Sequence, residues 1–156
     1  MYTSVQIFPR NCYMDDVIIN KSITIDRCLT RIKEEYSGCA DNLYGNPSRQ
    51  DAIILNIQRA CETLISLGMH IAKKIGYKNP LCAKDVFPIL ETHSIITSSF
   101  YEQLQKLISL RKIPVYISEK VNVSMIESII KTHLEDFKTF IKIAKSLDSV
   151  VKSIRR

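Results

Sequence analysis

Apolar residues recur at threes and fours along almost the whole chain, and nowhere do they alternate with the two-residue rhythm of a half-buried strand. That single pattern excludes sheets and sandwiches and leaves helices packed on helices. In the first such stretch, about Asp15 to Tyr36, Ile18, Ile25, Leu29, Ile32 and Tyr36 form one stripe, and Gly38 follows as a stop signal. Asn46-Pro47-Ser48 opens a second helix, with Ser48 and Asp51 spaced like a capping box and Gly76 closing it. Its apolar arc is wide (Ile54, Ile57, Cys61, Leu64, Ile65, Gly68, Ile71, Ala72), which marks a central helix.

A short third helix is predicted near Asp85 to Thr92, with Pro88 tolerated only in its first turn. A fourth runs from about Ser98 to Lys112 and presents Phe100, Leu104, Leu107 and Ile108. Pro114 disfavours helix at Ile113, so the next residues are expected on an extended turn. The last helix is predicted to begin near Asn122 to Ser124, with Ser124 and Glu127 as its capping box, and to run unbroken past Phe140 on an inner face of Ile126, Ile130, Phe137, Ile141 and Ala144. The predicted fold is all-α, an antiparallel bundle of about four long helices plus one short one.

A chain of 156 residues suffices for one domain with a real core. Its five cysteines (Cys12, Cys28, Cys39, Cys61, Cys82) are odd in number, scattered, and never spaced as CxxC. This argues against a disulfide framework or a zinc site and for a reducing, cytoplasmic setting. The start, MYTSVQIFPRNCYM, is too polar for a signal peptide, and no apolar run approaches transmembrane length. Of the 22 basic residues behind the net charge of +6, four (Arg10, Lys152, Arg155, Arg156) lie near the ends, so the excess is compatible with RNA phosphate without requiring it.

Phosphate loops, nucleophile elbows, zinc spacings and paired-carboxylate motifs are missing from the sequence, and no short basic helix suits a DNA groove. Attention therefore falls on RKIPVYIS, Arg111 to Ser118, between two amphipathic helices. The segment resembles the signature of the HepT-like HEPN ribonuclease toxins, which reads Arg, four spacers, His, one spacer, Tyr. Arg111 keeps its place; Tyr116 stands where the family has His and Ser118 where it has Tyr. The likeness extends through MDDVIINKSITIDRCLTRIKEEY from Met14, SRQDAIILNIQRACETLISLGMHIAKK, DVFPILETHSII and VNVSMIESIIKTHLEDFKTFIK, covering all but about a dozen residues at each end. RQDAI with LNIQRACE is its more specific part.

The resemblance implies a HEPN-like domain over residues 14–147, preceded by a disordered extension (1–13) and followed by a basic tail (148–156). It implies metal-independent RNA cleavage with no cofactor, in a homodimer whose two copies of Arg111 share one groove, held in check by a small nucleotidyltransferase that adds AMP to the signature Tyr. Lys112 adds charge beside Arg111. A phenol at 116, with a pKa of roughly 10, is a poor base near neutrality, so the expected activity is weak or lost; the alternative is a non-catalytic dimer that binds the nucleotidyltransferase. Ser118 lacks a phenol's reach, and Tyr116 is either an aromatic wall of the groove or a substitute acceptor of AMP.

Three histidines remain. His133 falls on the inner face of the last helix and reads as a satisfied core histidine, and His93 lies in a polar turn. His70 falls opposite the apolar arc of the second helix, on a stripe with Arg59, Glu62, Ser66 and Lys73. That stripe is either a wet face or a groove in which Arg59, Glu62 and His70 support Arg111.

Overall fold

In the computed structural model, residues 15–38, 42–78, 82–112 and 119–154 are described. They form α1 (Asp16–Ser37), α2 (Pro47–Lys74), α3 (Ala83–Thr92), α4 (Ser98–Ser109), a 3₁₀ turn (Leu110–Lys112), α5 (Glu119–Thr132) and α6 (Leu134–Ile154), with no strand among the described residues. The expected 1–13 extension lies outside them.

α1 and α2 pack antiparallel along most of their length. The register is pinned at both ends: Arg49 Nη1 donates to the Glu35 carbonyl at 3.2 Å, and His70 Nε2 meets Asp15 Oδ2 at 2.8 Å. Between these pins Ile18, Ile25, Leu29 and Ile32 of α1 lie against the arc of α2, where Ile53, Ile57, Ala60, Cys61, Leu64, Leu67 and Ile71 are wholly buried. α3 crosses the far side of α2 at Gly68, where an added Cβ would come within 2.7 Å of Val86 Cγ1. Glycine permits that approach. α5 and α6 close the remaining side, and Phe140 meets Phe87 of α3 edge to face with ring centroids 5.7 Å apart.

Several helix ends differ from the sequence reading. α2 takes Asn46 as its cap residue and Pro47 in its first turn, without a side-chain cap bond, so Ser48 does not cap it. Gly76, at φ +111°, does close it, and only glycine holds that conformation cheaply. Pro88 sits inside α3 because the helix begins at Ala83. The last long helix is divided: α5 starts at Glu119, upstream of Ser124, and ends at Thr132. At His133 the backbone tightens, its carbonyl accepting from the Asp136 amide at 3.1 Å, while its ring Nδ1 lies 3.0 Å from Asp136 Oδ2. Local tightening of this kind is an ordinary cause of a helix break. α6 then continues to Ile154, past the boundary expected at residue 147.

That extension places Asp148 in the interior, with its side chain 2% exposed. Lys74 Nζ reaches Asp148 Oδ1 at 2.6 Å and Asp15 Oδ2 at 2.7 Å, and the Asp15 amide donates to Asp148 Oδ2 at 3.0 Å. One ammonium thus ties the start of α1 and the end of α2 to α6. Burial pushes the Asp15 carboxyl up, but bonds from Lys74, His70 and the Val17 amide override it and hold the group well below the usual carboxylate range. Burial would lower the Lys74 pKa, yet Asp148 and Asp15 raise it above its ordinary 10.5.

A depressed carboxyl stabilises the fold above the ordinary carboxylate range, and that contribution is lost as pH falls through the folded value. A raised amine contributes below 10.5 and ceases to contribute as pH rises through its folded value. Replacing Lys74→Met should cost about 3 kcal/mol, near the low end for breaking a buried pair because the ammonium is partly solvated. Thermal unfolding at pH 7 should show a midpoint lower by roughly 6–12 °C for a domain of this size. A midpoint within 2 °C of the parent would mean that the joint carries no net stability.

Candidate functional site

α4 ends where its backbone narrows into the 3₁₀ turn, and this turn carries Arg111 onto the outer side of α2. Two contacts fix it. Beneath, the Cys61 thiol donates to the Leu107 carbonyl at 3.6 Å, a second donor on an oxygen that also accepts from the Leu110 amide. Above, Arg111 Nη1 stands 3.5 Å from Glu62 Oε1. The arginine side chain is 24% exposed and the glutamate 65%, so the guanidinium is partly sheltered while its carboxylate partner stands in water.

Such a half-solvated pair contributes under about 1 kcal/mol. Its effect is directional: it points a partly buried guanidinium at the surface beside α2. Guanidinium is suited there to a phosphate, which it engages with two parallel donors. Cys61 feels the same pair. Burial chiefly, and Glu62 secondarily, push its thiol up to about 12, against the opposing pull of Arg111. It is a packing group and not a nucleophile.

The stripe expected along α2 is therefore split. Glu62 is brought to Arg111, and Arg59, one turn earlier, is exposed and faces α1 across a shallow groove. His70, more than two turns further on, is engaged by Asp15 and belongs to the joint with Lys74 and Asp148. Sequence reasoning could not see this separation, because the partners of His70 and Lys74 come from residues 15 and 148. Lys112 is exposed beside Arg111. Tyr116 and Ser118 lie outside the described residues.

The other histidines are structural. His133 pairs with Asp136 at the α5–α6 break, as a satisfied histidine should. His93 is exposed, donates through Nδ1 to the Ile89 carbonyl at 2.9 Å, and meets the Tyr77 ring edge to face. Among the described residues no three His, Cys, Asp or Glu side chains gather as a metal site. No helix of the described residues is long and apolar enough to cross a membrane.

Comparison with known proteins gives a consistent result. A family model described as ribonuclease HepT-like matches residues 25–144. The mRNA nuclease HepT of Shewanella oneidensis is 35% identical over 133 residues, which are 85% of this chain and 99% of that protein. A crystal structure of a mutant of the toxin–antitoxin MntA–HpeT superposes with a TM-score of 0.77 at 35% identity, covering 85% of this chain and 99% of that one. The tri-AMPylated Shewanella oneidensis HEPN toxin in complex with MNT antitoxin superposes with a TM-score of 0.76 at 35% identity over the same shares.

The thiols provide a direct check on the packing at Arg111. Cys82 is exposed at the start of α3, with its Sγ 2.8 Å from Asp85 Oδ2, whereas Cys28 and Cys61 are buried and burial raises the pKa of both thiols. Treating the native protein with iodoacetamide at pH 8 and mapping peptides by mass spectrometry should find Cys82 alkylated long before Cys28 or Cys61. Equal labelling of Cys61 would show that the end of α4 does not stay seated on α2.

Proposed function

This chain belongs to the HepT-like ribonuclease family, and from that premise we propose that it is the toxin-derived member of a toxin–antitoxin pair, acting on RNA with a crippled catalytic apparatus. The observation that carries the reading is Arg111, held beside Glu62 at the end of α4, followed five residues later by a tyrosine in place of the signature histidine.

Metal-independent cleavage of RNA proceeds by attack of a 2′-hydroxyl on the adjacent phosphorus. The new O2′–P bond replaces the P–O5′ bond, leaving a cyclic phosphate and a free 5′-hydroxyl. A base must take the 2′ proton, an acid must return one to O5′, and a cation must hold the charge that builds on the phosphorane oxygens. Arg111 supplies the cation, with Lys112 adding positive potential. Glu62 supports the guanidinium from α2. His70 stands outside this set, committed to Asp15.

Tyr116 cannot take the first proton efficiently near neutrality, since a phenol with a pKa of about 10 is almost wholly protonated there. Loss of general acid–base catalysis costs typically about 10²- to 10⁴-fold. The protein is proposed to work as a cytoplasmic homodimer, which sets two copies of Arg111 in one isologous groove, and to bind a minimal nucleotidyltransferase as its antitoxin. A second reading shares that scaffold: a non-catalytic dimer whose remaining task is to bind the nucleotidyltransferase. The joint replacement of His and Tyr at 116 and 118 favours it, because the catalytic proton carrier and the AMP acceptor are lost together.

Purified protein incubated with a structured RNA should cleave slowly or not at all. Tyr116→His should raise the rate by at least about 10²-fold, and Arg111→Ala should abolish whatever the parent shows. Robust, Arg111-dependent turnover by the parent would sink the crippled-site reading; a Tyr116→His, Ser118→Tyr double variant that neither cleaves RNA nor slows growth would favour the non-catalytic one. Separately, incubation with the cognate nucleotidyltransferase and ATP should leave the intact mass unchanged. An AMP adduct mapped to Tyr116 or Ser118 would show that the substituted signature still serves as the antitoxin's target.

A further inference from the structure

The outer faces of α1 and α2 enclose a shallow groove of about 700 Å³ that holds three arginines, Arg27 and Arg31 on α1 and Arg59 on α2. All three are exposed, and none makes an ion pair among the described residues. Arg27 and Arg31 are four apart, which stacks two like charges on one helical face, an arrangement that disfavours a helix on its own. The third cation stands across the groove.

Two carboxylates also line it, and they offset the trio incompletely. They are Asp26 and Glu34, two negative charges against three positive ones. Glu34 lies a turn beyond Arg31 toward the end of α1, leaving the reach between Arg27, Arg31 and Arg59 cationic. Ile23, 44% exposed, gives this floor an apolar patch. Arg59 is one turn of α2 from Glu62, and Glu62 touches Arg111, so the groove opens along α2 toward the proposed site of cleavage, with one exposed carboxylate between the two guanidinium groups.

We infer that this groove carries the phosphate backbone of a single RNA strand into the site at Arg111. The inference rests on the ribonuclease reading and adds to it the path of the substrate. Guanidinium groups on two facing helices suit successive phosphates, and among the described residues no aromatic side chain lines the groove to stack a base, so recognition here is by backbone and indifferent to sequence.

The test is binding of a fluorescent single-stranded RNA, followed by anisotropy across a salt series, for the full chain, for an Arg27→Gln, Arg31→Gln, Arg59→Gln variant and for Arg111→Ala. Each phosphate contact on a single strand contributes a slope of about 0.7 in log affinity against log salt. The triple variant should lose about 2 in slope and bind roughly 10- to 100-fold more weakly at 0.1 M salt. Arg27→Gln alone should lose about 0.7, which keeps the test decisive if the triple variant folds poorly.

An unchanged slope in the triple variant, with binding still weakened by Arg111→Ala, would overturn the groove and leave the ribonuclease reading standing. Failure of the parent to bind RNA at all would remove both. If the triple variant keeps its RNA but loses its nucleotidyltransferase or its own second copy, the groove is a protein interface and the inference is overturned.

Discussion

The burial of α2 is the constraint from which the rest of the molecule follows. Its 28 residues are covered on nearly every side, by α1 along one flank, α3 at Gly68, and α5 and α6 beyond. A helix so enclosed has only a narrow strip left for polar chemistry, and here that strip carries Leu55, Arg59 and Glu62, all exposed. Leu67, Leu64 and Cys61 meanwhile form a wholly buried floor. The end of α4 docks beside this strip, above Cys61 and next to Glu62, and that seats Arg111.

At the C-terminal end of α2 the same crowding produces a different solution. Taking Asp148 to 2% exposure is costly for an isolated carboxylate, and it is tolerated because Lys74 and the Asp15 amide both reach it. The joint spans residues 15, 70, 74 and 148, so it closes contacts between the two ends of the described chain. Helix packing alone is non-directional; hydrogen bonds between charged groups specify which turn of α6 meets which turn of α1. The middle and the C-terminal end of α2 thus differ in task, one standing beside the guanidinium of Arg111 and the other tying α1 to α6 through Lys74.

Much of this was legible in the residues. The apolar stripes of Ile18 to Ile32 and of Ile54 to Ala72 located α1 and α2, because periodicity reports the buried face directly. For the polar stripe of α2 the residues left two readings open, a wet face or a support for Arg111, and only Glu62 of that stripe meets the arginine. What escaped sequence reading was long-range or cooperative. Ser48 and Ser124 carry capping chemistry in the right local spacing, yet α2 starts a residue earlier at Pro47 and α5 five residues earlier at Glu119. Asp148 looked like part of a charged tail, since nothing local distinguishes a buried aspartate from a solvated one. His70 shared a helical stripe with Glu62, but a stripe of several turns spans more than one neighbourhood, and its partner was decided by residue 15.

The modest strength of the Arg111–Glu62 pair bears on how the site would handle RNA. A carboxylate locked on the guanidinium in a dry pocket would compete with every incoming phosphate and have to be displaced at a cost of several kcal/mol. Glu62, two-thirds exposed and 3.5 Å away, holds the guanidinium for less than about 1 kcal/mol. A phosphate offering two oxygens to the same donors gains more than that loses. A guanidinium held so loosely is free to exchange its carboxylate for a phosphate, and on the proposed reading that grip would not depend on which residue stands at position 116.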